Sequence, residues 1–349
     1  MNSNAIPQAQ SMQSSIMQAV WYEKTGDINV LQYGERPIPK LGKGEVLVRV
    51  HASGVNPSDT KVRSGWGGMT LQYPLVIPHN DGAGTIEQVG DGVSSDRINE
   101  RVWIYEAQFG RPFGTAAEYV VVPSQQAVLL PTNVSFEEGA CLGVPAMTAH
   151  RAVFADGSVA GQTILVTGGA GAVGYYAVQL AKWGGAIVIT TVSRPEQAKL
   201  AQEAGADYVI NYKTEDVVTR IREITGVERG VDRVVDVDFA ANLPISEVVL
   251  RASGVIATYS SNAGNPAARP EIPFFSLLLN NITLRTILVY TMPEAAKQAA
   301  IQDISAALSS GKLKHNIAQR FSLAEMAAAH EAQDSGKIIG KVIVATAYI

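Results

Sequence analysis

One glycine-rich run, Gly168-Gly169-Ala170-Gly171-Ala172-Val173-Gly174, constrains the fold more than any other part of the chain. It follows the apolar run TILVT (Thr163 to Thr167) and opens a helix-patterned stretch, Val173 to Trp183. A second strand-like run, AIVITT (Ala186 to Thr191), comes next. A bare GxGxxG match is weak, but strand, glycine turn, helix and strand in that order make a dinucleotide-binding unit. Gly169 is expected to allow the tight turn, Gly171 to let the backbone approach a pyrophosphate, and Gly174 to let the helix press onto the sheet. Ala170, Ala172 and Val173 complete the cradle, since a helix N-terminus offers unpaired N–H groups and about half a positive charge. The competing reading is a glycine-rich turn with no ligand.

The end of the second strand chooses between dinucleotides. NAD-binding units carry an acid there to hold the ribose 2′-hydroxyl. Here the segment is Thr190-Thr191-Val192-Ser193-Arg194, with no carboxylate before Glu196. A hydroxyl and a guanidinium can bind a 2′-phosphate that an acid would repel. Ser193 and Arg194 therefore favour NADPH, against the alternative that Ser193 simply caps the helix opened by Pro195.

After Ala140 strands and helices alternate, through YVI, RVVDV, GVIATY and TLRTILVY, which predicts a doubly wound parallel sheet. Before it, EVLVRVHASGV (Glu45 to Val55), GAGTIEQVG (Gly82 to Gly90), RVWIY (Arg101 to Tyr105) and AEYVVVP (Ala117 to Pro123) predict a compact, mostly antiparallel β region. A chain of 349 residues is long enough for two such domains. Its 28 basic and 32 acidic residues give a net charge of -4, too little positive field for nucleic acid to be a dedicated partner. Residues 1–16 are polar, with neither a basic start nor an apolar core, and read as a disordered tail rather than a targeting segment. No apolar run reaches the length of a bilayer span, so the expectation is a soluble, cytoplasmic chain.

Metal and nucleophile signals are thin. The five histidines form no HExxH and no close pair with cysteine, so no metal is expected. Cys141, the single cysteine, lies between Ala140 and Leu142 and reads as a buried, inert thiol. A GxSxG elbow is missing as well.

Five further segments come in a telling order: GVNPSDTKVRSG (Gly54 to Gly65), DGAGTIEQVGDGV (Asp81 to Val93), ACLGVPAMTAHRAV (Ala140 to Val153), AHE (Ala329 to Glu331) and GKVIV (Gly340 to Val344). With the glycine turn they resemble the medium-chain dehydrogenase/reductase superfamily, and within it the zinc-free NADPH:quinone oxidoreductases of the zeta-crystallin type. The resemblance runs from Met17 to Val344. It implies a GroES-like, mostly β catalytic domain over 17–142 and 290–349, joined to a Rossmann α/β domain over 143–289. It also implies a homodimer, formed as TLRTILVY (Thr283 to Tyr290) pairs with its copy.

The resemblance further implies which residues meet the cofactor. Ser193, Arg194 and Tyr212 would surround the 2′-phosphate, and Thr148 would lie near the nicotinamide ribose. Ser260, Ser261, Asn262 and the backbone at Ile287, Leu288 and Val289 would hold the nicotinamide end. Asn56 would orient the acceptor, unless with Asp59 it only braces the strand-to-helix turn. Trp66 and Tyr73 would cover the acceptor. Lys61 stands where the branch has a tyrosine near the cofactor. His79 replaces the usual glycine, and Asp238 and Phe239 replace small residues, which implies a narrower or differently polar pocket.

Where zinc-dependent relatives carry ligands, this chain has Asn56, Asn80 and Val144. Zinc takes cysteine, histidine or carboxylate, so the three positions are unsuited to it. Reducing a simple ketone develops an alkoxide of pKa about 16, by comparison with water. A quinone gives a phenolate-like anion of pKa about 10, by analogy with tyrosine. That difference is roughly 8 kcal/mol of relief for a site without a Lewis acid. The reading is hydride transfer from NADPH to a quinone or enone. Two alternatives stay open: a 2-alkenal or enone reductase, and a non-catalytic NADPH-binding protein.

Overall fold

The computed structural model describes residues 16–226, 230–261, 267 and 269–346. Of the tail expected over residues 1–16, all but Ile16 lies outside the described residues, and Ile16 already belongs to a strand.

Strands β1 (Ile16–Trp21) and β2 (Gln32–Pro37) form an antiparallel pair. The chain then builds β3 (Glu45–Val55), helix α1 (Pro57–Ser64), β4 (Asp81–Val89), β5 (Arg101–Ile104), β6 (Tyr119–Pro123) and β7 (Ala127–Leu129). A short α2 (Phe136–Gly139) leads into α3 (Gly143–Phe154). β3 is long enough to serve two partners on one edge. Its first half pairs with β6, and its second half with a strand from the far end of the chain.

The second unit alternates as the glycine turn requires. It contains β8 (Thr163–Val166), α4 (Ala172–Trp183), β9 (Ile187–Val192), α5 (Pro195–Glu203), β10 (Tyr208–Asn211), α6 (Val217–Thr225) and β11 (Val231–Asp236). After these come α7 (Phe239–Val249), β12 (Leu250–Thr258), α8 (Phe274–Leu279) and β13 (Thr283–Thr286). All six strands are parallel, in the order β10-β9-β8-β11-β12-β13. The order reverses between β8 and β11, and a crevice opens at the carboxyl ends of the strands there. Every residue of β8 is buried, as expected of a strand covered on both faces. The apolar run expected as one strand to Tyr290 stops pairing at Thr286, and Val289–Thr291 form a 3-10 turn.

The chain closes with α9 (Glu294–Ser309), β14 (Ile317–Ser322), α10 (Met326–Asp334) and β15 (Lys341–Ala345). β15 lies against β3 and carries β14 on its outer side, so the larger sheet runs β14-β15-β3-β4-β5-β7 with β6 also on β3. One core cluster runs from Ala83 and Trp103 through Ala146 and Met147 of α3 into Ile164 and Val178. The two sheets are thus joined along α3, which fixes one lip of the crevice.

Candidate active site

The glycine turn divides its duties differently from expectation. Gly168, with φ +68°, takes the left-handed conformation of the tight turn, whereas Gly169 does not. A side chain at Gly169 would instead put its Cβ 2.0 Å from Thr190 Oγ1, so close packing against β9 demands that glycine. Gly174 is needed as expected, because a Cβ there would lie 2.3 Å from the Gly168 carbonyl oxygen. Gly171 is different. It caps α4 with ordinary φ, and an added Cβ would meet only the Gly168 oxygen, at 3.3 Å. No side chain caps α4; Gly171 is exposed, Ala172 and Val173 are half-buried with Val173 packed against the core, and Ala170 is buried. The turn therefore presents an open backbone face and a helix N-terminus where a pyrophosphate fits.

At the end of β9, the pairing with β10 brings the Tyr212 backbone beside Val192. The Tyr212 N–H donates to the Val192 carbonyl at 3.0 Å, setting the half-exposed phenol beside Ser193 and Arg194. The Ser193 hydroxyl and N–H both donate to Gln197 Oε1 at 2.9 Å, which ties this serine to the first turn of α5 without capping it. Arg194 pairs with Glu196 at 3.3 Å across an exposed surface. Sequence reading missed Lys213, whose ammonium sits 5.3 Å from the Tyr212 ring centroid. A phenol, a hydroxyl and two cations meet at this corner.

The positions that bind zinc in the resembled dehydrogenases do converge, on a buried polar network. Asp81 Oδ1 accepts the Val144 N–H at 2.8 Å; Oδ2 accepts Asn56 Nδ2 at 2.8 Å and Lys341 Nζ at 2.9 Å. Lys341 also donates to Asn56 Oδ1. Asp59 accepts the Asn56 N–H at 2.8 Å and Asn80 Nδ2 at 3.0 Å, while Asn80 Oδ1 accepts the Phe109 N–H at 2.9 Å. Two glycines make room. A Cβ on Gly143 would lie 2.2 Å from Asp81 Oδ1, and one on Gly54 2.8 Å from Lys341 Cε. Asp81 thereby sits on the N-terminus of α3, whose dipole favours its charge. Burial, then the nearby charge of Asp81, raises the Asp59 pKa to about 7.

This arrangement corrects the part expected of Asn56. The residue is 1% exposed, its amide oxygen is taken by Lys341, and its nitrogen donates to Asp81. It braces the start of α1, with both ends of its amide committed to the buried network. Lys341 and Asp81, which sequence reading did not single out as site residues, hold it there. The one signal for Lys341 was a lone charge at the start of an otherwise apolar strand; Asp81, in a strand that also carries Glu87, gave none.

His79 accounts for another departure from the family pattern. It adopts φ +78°, a conformation natural to glycine, and buries its ring completely. Its Nδ1 lies 2.8 Å from the Ser53 hydroxyl and its Nε2 2.9 Å from His330 Nε2. Burial, and then Arg63, holds His330 down to about 3, so the pair is neutral. Phe239 does not narrow the crevice. It packs beneath the sheet with Leu165 and Ile210, while its N–H donates to the Ser260 carbonyl at 3.0 Å.

The other expected residues that the structure describes are tied into neighbouring elements. Ser261 Oγ accepts the Ala240 N–H at 3.2 Å, and Asn262 lies outside the described residues. The Thr148 hydroxyl donates to the Val144 carbonyl on its own helix, at 2.6 Å. The Ile287 N–H donates to the Thr258 carbonyl at 2.8 Å; Ile287 and Val289 are buried, and Leu288 is exposed. Across from them, the Ser58 and Tyr290 hydroxyls are 2.7 Å apart, and Phe109 stacks on Tyr290 with centroids 4.8 Å apart. Tyr73 donates to the Gly110 carbonyl, and Lys61 Nζ lies 4.7 Å over the Trp66 ring. Among the described residues, no group of three or more His, Cys, Asp or Glu side chains is placed to hold a metal ion.

Comparison with known proteins gives a consistent picture. Residues 42–132 match the alcohol dehydrogenase GroES-like domain and residues 172–306 match the zinc-binding dehydrogenase family. The quinone oxidoreductase of Rattus norvegicus is 30% identical, covering 94% of this chain and 98% of the rat protein. A 2-haloacrylate reductase of a Burkholderia species is also 30% identical, with the same coverage. A mycobacterial protein solved with NADPH superposes with a TM-score of 0.79 at 30% identity, covering 94% of this chain and 99% of its own.

Proposed function

The chain belongs to the medium-chain dehydrogenase/reductase superfamily, in its zinc-free quinone oxidoreductase branch, and from there we propose that it reduces quinones with NADPH. Bound NADPH supplies the hydride; with one proton from solvent, the quinone becomes a hydroquinone. Everything else falls to the chain. The open face of Gly171 and the N–H groups at the start of α4 hold the pyrophosphate. Ser193, Arg194, Tyr212 and Lys213 hold the 2′-phosphate through charge-assisted bonds. Thr148, Ser260, Ser261 and the backbone of residues 287–289 frame the nicotinamide end. We read residues 143–289 as the nucleotide domain and 17–142 with 290–349 as the catalytic domain.

The observation that carries quinone over ketone is the network around Asn56. Two amides and a valine stand at the three ligand positions, and both amides are already bonded around Asp59, Asp81 and Lys341. No side chain there offers a Lewis acid or a strong acid to a developing alkoxide. A quinone asks for roughly 8 kcal/mol less help. An activated alkene falls between the two, and the likeness to a 2-haloacrylate reductase supports it as a second class of acceptor.

Steady-state assays with NADPH test this reading. We expect kcat/KM for 1,4-naphthoquinone to exceed that for 2-hexenal, with cyclohexanone at background. Cyclohexanone turned over as fast as the quinone would overturn it. Tenfold preference for the alkenal would transfer the assignment to enone reduction, and tight NADPH binding without any turnover would favour the non-catalytic alternative.

We also infer that the chain pairs with its own copy. β13 is an edge strand of the parallel sheet, and α8 beside it exposes Phe274, Phe275, Leu278 and Leu279.

A further inference from the structure

We propose that Lys61 makes the acceptor site selective for flat conjugated molecules that carry a negative charge, a carboxylate or sulfonate set away from the carbon that receives hydride. The inference rests on the quinone and enone reading above and names the acceptor class within it.

Three observations carry it. First, Lys61 faces the crevice. The Ser58 hydroxyl bonds the Tyr290 hydroxyl, so that face of α1 is turned toward the segment leaving β13. Lys61 lies three residues on, and residues at i and i+3 share a helix face. Second, its charge is uncommitted. Lys61 Nζ rests 4.7 Å over the Trp66 ring, and among the described residues no carboxylate pairs with it. An indole face attracts a cation without neutralising it, so the ammonium keeps its donors for an anion.

Third, the segment that Ser58 meets, one helical turn before Lys61, is aromatic. Phe109 and Tyr290 stack nearly parallel, 13° apart, with Phe109 half exposed, and Tyr73 ties its own loop to Gly110 beside Phe109. The carboxylates on this side of the molecule are not free to compensate Lys61. Asp59 is fully buried and bonded to Asn56 and Asn80, and Asp81 is paired with Lys341. An aromatic platform one helical turn from a cation that no described carboxylate pairs with would complement a planar ring system with an anion at its edge.

A matched pair of acceptors reads this directly: 1,4-naphthoquinone and 1,4-naphthoquinone-6-sulfonate, whose sulfonate sits on the ring remote from the reacting carbons. The wild-type chain should favour the sulfonate, and the ratio of the two kcat/KM values should fall about tenfold in Lys61→Gln, as for loss of a charge-assisted hydrogen bond. Lys61→Arg should keep most of the preference, and 0.5 M salt should weaken it in the wild type. A ratio equal in wild type and Lys61→Gln would overturn the proposal. So would a rise in the KM for NADPH with the ratio intact, which would assign Lys61 to the cofactor. Should no acceptor be turned over, the quinone reading falls while this one is still tested, by calorimetric titration of naphthalene-2-sulfonate in the presence of NADP+. Tighter binding to wild type than to Lys61→Gln is expected there, and equal binding would refute it.

Discussion

Asp59 shows how one buried side chain can be made to report on its surroundings. Its carboxyl is wholly enclosed, accepts hydrogen bonds from the Asn56 N–H and Asn80 Nδ2, and lies near the charge of Asp81. Burial first and Asp81 second raise its pKa from 3.8 to about 7, with Lys341 pulling the other way. The folded protein therefore holds a proton that the unfolded chain has already lost between pH 4 and 7. The stabilisation from this group is full below about pH 4 and disappears as the pH rises through 7. Asp59→Asn keeps an acceptor and removes the titration. Relative to wild type, the variant should gain stability with rising pH over that window, by at most about 1.4 kcal/mol per pH unit. Urea unfolding at pH 4, 5, 6 and 7 measures the gain. Curves for the two proteins that stay parallel would mean that Asp59 is ionised throughout.

Among the elements, the turn from β8 into α4 separates what a fold needs from what a ligand needs. Gly169 and Gly174 are demanded by contacts inside the protein, at 2.0 Å to Thr190 and 2.3 Å to Gly168, whereas a Cβ on Gly171 would meet only the Gly168 oxygen, at a snug 3.3 Å that a small shift relieves. Gly174→Ala should therefore lower the thermal midpoint by several degrees, because backbone would have to move. Gly171→Ala should leave the midpoint nearly unchanged and raise the KM for NADPH about tenfold or more, since its Cβ would stand where the pyrophosphate approaches. Thermal unfolding without cofactor and titration with NADPH separate the two effects. Equal loss of stability in both variants would make Gly171 structural as well. The spacing of the glycines was legible in sequence, because a βαβ unit is local and its periodicity is strong. Which glycine takes the left-handed turn was not, since Gly168 and Gly169 differ only in what each meets across the sheet. The Asn56 network was hidden for a related reason. Its members Asp59, Asp81 and Lys341 are brought together only when β15 returns to β3, and no local pattern records that pairing.

For the molecule as a whole, surface is left over when both cores are complete. α3 joins the two sheets into one cluster, so the crevice needs no second chain to hold its walls. The far edge of the parallel sheet is different. Among the described residues β13 has a strand on one side only, and beside it α8 leaves Phe275 73% and Leu279 82% exposed. Monomers rarely leave a strand edge and an adjoining apolar helix open together, because each invites association. A two-fold axis beside β13 would pair the strand with its copy and bury both α8 helices by one operation. Light scattering on the eluting protein should then give twice the 37.1 kDa chain mass. Leu279→Asp combined with Phe275→Asp should return that mass to one chain, since the charges would be buried without partners in the dimer and solvated in the monomer. A wild-type mass of a single chain at micromolar concentration would rule the pairing out. A dimer unmoved by the double variant would shift the interface away from α8.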